Sequence, residues 1–224
     1  TSVSAELAAF LEQHMASFQC SAHDVRHCYR VARLALSIAV QVEGEKYDLR
    51  VVYLAGLLHD VLDSKLVGSQ ATVPVSEQVK DLLQRCEGVS EERISCIMSI
   101  VKSVGYKNLI KPEWASVVAL LPREYVAVQD ADLLDAIGSI GLTRVFSYGG
   151  RKNRPIFGFS EGDALGVNTQ LTAEQYAVRA GGSIEHFFDK LLRIRLLLKT
   201  APGVVLGEKR HFRMVLFLRD VDEE

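Results

Sequence analysis

Three short strings hold most of the side chains that could do chemistry. The first is His23-Asp-Val-Arg-His27-Cys-Tyr-Arg30-Val31, where His23, His27 and Arg30 are spaced to share one face of a helix or its N-terminal extension. The second is Leu57-Leu-His59-Asp60, with Asp63 one turn beyond His59 and Lys65 just after it. The third is Asp130-Ala-Asp132-Leu-Leu-Asp135. His59-Asp60 ends a segment that is apolar almost all round, and Asp132 sits among Val128, Leu133, Leu134 and Ile137. A carboxylate isolated in such surroundings is costly and must shift its pKa or find a partner. A divalent cation solves the problem for both at once. Mixed imidazole and carboxylate donors suit manganese, iron, zinc, nickel or cobalt better than calcium or magnesium alone. Each string alone has a plainer explanation: histidines in a first helical turn often cap it, His-Asp pairs arise by chance, and acidic pairs mark helix N-termini. What sets this chain apart is the order His, then His-Asp, then Asp, on separate predicted helices.

The elements that must position these strings read as helices. Ser4–Ser17 carries Leu7, Phe10, Leu11 and Met15 as an apolar stripe. His23–Val42 is patterned on Val31, Leu34, Ala35, Ile38 and Val42, with Gly44 to stop it. Asp48 is placed to cap a buried central helix reaching about Leu62. Lys65–Pro74 reads as an exposed loop. Ser76 and Ser90 begin two further helices, the first to about Arg85. Trp114–Ile140 holds two helical stretches divided at Pro122. Ser147–Gly166, with Gly149, Gly150, Gly158, Gly162 and Gly166, has no helical period and is expected to be a long functional loop. Ser183–Lys199 reads as one amphipathic helix and Gly203–Phe217 as the last. No convincing strand pattern, internal repeat or linker appears. The expectation is therefore all-α: a single-domain helical bundle over 1–224, with a core about 20–145, C-terminal helices 183–220 packing on it, and a long Gly-rich loop.

Bulk composition narrows the partners. The chain has 224 residues, a net charge of -2 and 48% hydrophobic residues, which suits a soluble domain with a real core. No basic tract points to nucleic acid or to an anionic membrane, so a polyanionic substrate must be held by a few local cations or by metal. No apolar run is long enough to span a bilayer. Cys20, Cys28, Cys86 and Cys96 form no CxxC pair and no leader-like start precedes them, which reads as reduced thiols in a cytoplasmic setting. The same lack of a CxxC argues against redox chemistry at Cys20 and Cys28.

At this level of detail the chain resembles the HD-domain phosphohydrolases, and more narrowly their small single-domain branch. Three segments carry the likeness: His23–Val31, Leu57–Lys65 and Gln129–Gly138. Further matches are Ile140-Gly-Leu-Thr-Arg144-Val-Phe, Tyr148-Gly-Gly and Phe188-Asp-Lys190-Leu-Leu. The resemblance covers most of the chain. It implies that His27, His59, Asp60 and one later aspartate hold one divalent transition metal, manganese first, with iron, nickel, cobalt or zinc as alternatives and magnesium accompanying the substrate. The family's Ala-Asp-x-Leu core aligns the last ligand with Asp132, and Asp130 is the alternative. His23, a turn before His27, is expected behind the ligands or facing substrate. Leu133 stands where the family usually carries Arg or Lys, and the tail after Thr200 diverges.

The activity implied is hydrolysis of a phosphate ester or phosphoanhydride in a nucleotide, by in-line attack of water on phosphorus. Asp63 is the expected group to position that water or accept its proton, with His23 and Lys65 beside it as catalytic candidates. Arg30, Lys65, Asp135, Arg151, Lys152 and Arg154 are the substrate-binding candidates, the cations as phosphate partners. Pyrophosphate release from a nucleoside triphosphate is favoured by the resemblance. Monoester hydrolysis of a 5′-nucleotide and a non-catalytic nucleotide-binding module are the alternatives, and a homodimer is compatible with all three.

Overall fold

The computed structural model describes residues 5–16, 24–44, 46–62, 73–158, 172, 174–175 and 181–224. Among them every regular element is helical, as expected of an all-α chain. The α-helices are α1 (Ala5–Ala16), α2 (Val25–Ala39), α3 (Leu49–Leu58), α4 (Val75–Gln84), α5 (Glu91–Ser103), α6 (Tyr106–Leu109), α7 (Trp114–Val118), α8 (Glu124–Asp135), α9 (Gly138–Arg151), α10 (Glu185–Asp189) and α11 (Ala201–Glu223), with a 3-10 segment at Leu191–Leu196. They group into two compact units. Of the described residues, the first takes those up to 104 together with 121–128, and the second takes those in 105–120 and from 129 onward.

In the first unit, α1 buries Leu7, Leu11 and Met15 against α2 and α4. Asp24 opens α2 by accepting a hydrogen bond from the His27 amide at 3.0 Å, which satisfies one of the orphan donors of a helix start. Beyond α2 the chain turns at Gly44, whose φ of +78° suits a residue without a Cβ. Helix α3 is buried on nearly every face and packs on both α2 and α5. Its approach to α2 is unusually close: a Cβ added at Gly56 would lie 2.9 Å from the Ala32 Cα.

Asp48 both starts α3 and ties it to its neighbours. Its carboxylate accepts from the Arg50 and Val51 amides at 3.0 and 3.3 Å and from Arg93 Nε at 2.6 Å. Its own amide donates to Glu124 at 2.9 Å. Burial alone would raise the Asp48 pKa, but the bonds from Arg93 and the two amides outweigh it and hold the carboxyl below its ordinary 3.8.

In the second unit, a buried carboxylate organises the last helix. Asp130 accepts from the Lys199 amide at 3.0 Å, from the Thr200 amide at 2.8 Å and from the Thr200 hydroxyl at 2.7 Å. That hydroxyl in turn accepts from the Gly203 amide at 3.1 Å, capping α11. A Cβ at position 203 would come within 2.5 Å of the Asp130 carboxylate, so the cap requires glycine there. Phe146, Phe187 and Phe217 form an aromatic cluster linking α9, α10 and α11.

Several element boundaries differ from the sequence expectation. Helix α3 ends at Leu58, and 59–62 form a turn. Helix α4 starts at Val75 after Pro74, so Ser76 lies inside it. A break at Gly138, with φ +74°, divides α8 from α9. Helix α9 runs on to Arg151, which places Ser147, Gly149 and Gly150 in a helix rather than a loop; residues 159–166 of that expected loop lie outside the described residues. The expected helix over 183–199 is interrupted at Lys190, where the backbone leaves helical geometry. There the Asp189 carbonyl is taken by the Tyr106 hydroxyl and the Lys190 ammonium sits over the Tyr106 ring. Helix α11 continues past Phe217 to Glu223.

Replacing Asp48 with Ala is expected to cost about 1–2 kcal/mol of stability in urea denaturation at neutral pH. Because its native pKa is depressed, the contribution of ionised Asp48 is present above the ordinary 3.8 and is lost as pH falls through the lower native value. The gap between wild type and the Ala variant should therefore shrink in acid and persist at neutral pH. Asp130→Ala should cost roughly 2–3 kcal/mol, since it strands buried donors on Lys199 and Thr200.

Candidate metal centre

The His27, His59 and Asp60 side chains converge within the first unit. His27 is in the first turn of α2, placed there by the Asp24 cap, and is 1% exposed. His59 follows the last residue of α3 and is 4% exposed. Their Nε2 atoms are 3.2 Å apart. The Asp60 carboxylate lies 3.4 Å from the His59 Nε2 and 3.5 Å from the His27 Nε2, and is 22% exposed.

The chemistry of this donor set fits a divalent cation. His59 Nδ1 lies 2.8 Å from the Gly56 carbonyl. A carbonyl can only accept, so Nδ1 carries the proton and Nε2 presents its lone pair to the other two donors. A ring nitrogen held in this way by a backbone carbonyl is a recurrent support for a metal-binding histidine. Two ligand atoms bound about 2.1 Å from one first-row cation lie roughly 3.0–3.4 Å apart at right or tetrahedral angles. The observed separations of 3.2, 3.4 and 3.5 Å are of that size. One ligand atom from each of the three residues falls within 4.8 Å of the others.

The remaining candidates have varied placements. His23, Asp63 and Lys65 lie outside the described residues. Asp132 is part-exposed on α8, in the stretch that belongs to the second unit. Asp130 is fully buried and its carboxylate is engaged by Lys199 and Thr200, as described above. Two residues apart on a helix, Asp130 and Asp132 point about 200° away from each other, so they serve different surroundings. Asp135, expected at the substrate, is 3% exposed and paired with Arg144 at 3.0 Å, which links α8 to α9. Arg30 is part-exposed on α2. Arg151 and Lys152 are exposed at the end of α9, and Arg154 lies over the Tyr148 ring at 5.4 Å.

Sequence reasoning missed Gly56. The signal was a glycine in the middle of a strongly helical apolar run, facing a helix that carries Ala32 and Ala35. That pattern marks close helix contact, which is what brings the start of α2 and the end of α3 together.

The family model for the HD domain matches residues 24–137. The Bacillus subtilis protein YpgQ is 32% identical over 212 residues, covering 95% of this chain and 89% of its own. Its crystal structure in complex with ADP aligns with a TM-score of 0.66 at 26% identity, over 97% of this chain and 92% of that one. A Lactobacillus plantarum protein of known structure aligns with a TM-score of 0.74 at 28% identity, over 96% and 92% of the two chains. A Bacillus thuringiensis protein described as an HD-superfamily hydrolase gives 0.65 at 27% identity, over 96% and 92%.

If the trio holds a metal, Asp60→Ala and His59→Ala should each weaken Mn²⁺ binding by roughly 100-fold or more in isothermal titration calorimetry. Gly56→Val should separate α2 from α3, cost about 1–3 kcal/mol by overpacking and weaken Mn²⁺ binding as well.

Proposed function

The chain belongs to the HD-domain family, and from that premise we propose that it is a metal-dependent phosphohydrolase acting on a nucleotide, with pyrophosphate release from a nucleoside triphosphate as its reaction. The observation that carries this proposal is the His27–His59–Asp60 trio, with the His59 tautomer set by Gly56. The nucleotide is supported by the ADP complex of YpgQ, a relative that matches nearly the whole chain.

His27, His59 and Asp60 would hold the metal, manganese by preference, and the resemblance to the family's Ala-Asp-x-Leu pattern assigns Asp132 as the further ligand. The engagement of Asp130 by Lys199 and Thr200 favours Asp132 over it. When bound, a divalent cation supplies Lewis acidity and neutralises phosphate charge. The protein's own contribution is orientation. The Gly56 carbonyl keeps the His59 proton on Nδ1, and the Asp24 cap keeps His27 at the first turn of α2. Asp63, next in the chain after this turn, is assigned the proton from the attacking water, and His23 and Lys65 are further catalytic candidates. Arg30, Lys65, Arg151, Lys152 and Arg154 are assigned to phosphate oxygens. The cysteines and charge balance suit a cytoplasmic enzyme with a small-molecule substrate.

Incubating the Mn²⁺-loaded protein with a panel of nucleoside triphosphates and 5′-monophosphates, and assaying pyrophosphate and phosphate separately, tests this assignment. Pyrophosphate from triphosphates is the expected product, with turnover reduced roughly 100-fold or more in His59→Ala and Asp60→Ala. Phosphate from monophosphates alone would make the enzyme a 5′-nucleotide phosphomonoesterase. Wild-type turnover in both variants would remove the trio from the chemistry.

A further inference from the structure

We propose that His14, on α1, is a positioning residue for the His27–His59–Asp60 centre, acting through the Val61 carbonyl on the turn that carries His59 and Asp60; this rests on the metal-centre assignment above.

The turn after α3 has an inherent weakness. A helix ends with carbonyls that find no partner inside it, and the chain beyond has no ladder to hold it. Two of the bonds that stabilise this turn are local. The Val61 amide donates to the Leu58 carbonyl at 3.0 Å, and His59 Nδ1 donates to Gly56. The second lies on the helix side of Asp60, and the first spans Asp60 from Leu58 to Val61. On the other side, the Val61 carbonyl accepts from His14 Nε2 at 3.1 Å, across 47 residues of sequence. Asp60 therefore sits between His59, tied to α3, and Val61, whose amide is tied to α3 and whose carbonyl is tied to α1.

The histidine is built to make that bond in one way. Because a carbonyl only accepts, His14 Nε2 must carry the proton. Burial lowers the pKa of the ring, partly offset by the bond to Val61, so at neutral pH the ring is neutral and its N–H points at the turn. The Phe10 ring stacks on it at 5.6 Å and 16°, fixing its plane. Leu7, Leu11 and Met15 bury the same helix, which makes α1 a firm base for the contact. At its far end Val61 is fully buried, so a turn freed from His14 would carry a buried side chain out of register with its pocket. An Asp60 carboxylate displaced by even about 1 Å no longer matches the spacing a first-row cation needs.

Space filling and hydrogen bonding at position 14 can be separated with two variants of the full chain. His14→Phe keeps an aromatic ring beside Phe10 but cannot donate, whereas His14→Gln keeps a donor of similar reach. Mn²⁺ affinity is measured by isothermal titration calorimetry, and metal-free stability by urea midpoint. The expected result is Mn²⁺ binding about 10-fold weaker in His14→Phe, within the range for supporting residues of metal sites. The urea midpoint should stay close to wild type, and His14→Gln should restore most of the affinity. Wild-type affinity in His14→Phe, alongside lost binding in Asp60→Ala, would overturn the role of His14 and leave the centre standing. A parallel loss of affinity and stability that Gln does not rescue would also overturn it, since His14 would then be only a packing residue. Failure of the wild type to bind Mn²⁺ through His27, His59 and Asp60 would remove the centre and this role together.

Discussion

The close approach of α2 and α3, at Gly56 against Ala32, is the constraint on which the candidate centre depends. A side chain at position 56 would meet the Ala32 backbone, so only glycine permits the contact. The contact sits one turn before the end of α3, and His27 lies at the start of α2. Bringing these two helices together therefore brings two imidazoles and a carboxylate into a small volume. The same glycine also acts through its backbone, since its carbonyl receives the His59 Nδ1 proton. Packing and tautomer selection are combined in one residue, and neither would survive a larger neighbour at the helix crossing.

Four aspartates among the described residues meet the cost of burial in distinct ways. Asp48 is neutralised by Arg93 and by the amides that start α3, and its pKa falls accordingly. Asp135 is paired with Arg144. Asp130 is surrounded by amide and hydroxyl donors at the start of α11, yet burial still dominates and its pKa is raised. Asp60 differs from all three. It is part-exposed, and two imidazole nitrogens face it. A carboxylate with that company is suited to share a metal rather than to brace a fold.

The helical character of the chain was legible because period and caps agree. Asp48 and Ser90 each start the helix that local rules assign to them. The central, all-apolar α3 was legible from composition alone, and the gathering of His27, His59 and Asp60 was what the family resemblance implied. The boundaries were less legible. The break at Lys190 depends on Tyr106, some 80 residues earlier in the chain, and no local propensity encodes it. The continuation of α9 through Gly149 and Gly150 went against glycine's reputation as a helix breaker, because a helix held by packing tolerates the cost of about 1 kcal/mol per glycine.

By itself the sequence determined the helical class and the starts at Asp48 and Ser90, which follow from residue type, period and short-range spacing, while His27, His59 and Asp60 were named by the family resemblance their motifs carry. Only the tertiary structure showed which partners Asp130 takes. Asp130 and Asp132 read as interchangeable in a linear string, but a helix turns them about 200° apart, and Asp130 is committed to the start of α11. The link from His14 to Val61 likewise exists only because α1 returns to the end of α3, a long-range arrangement that no local pattern specifies.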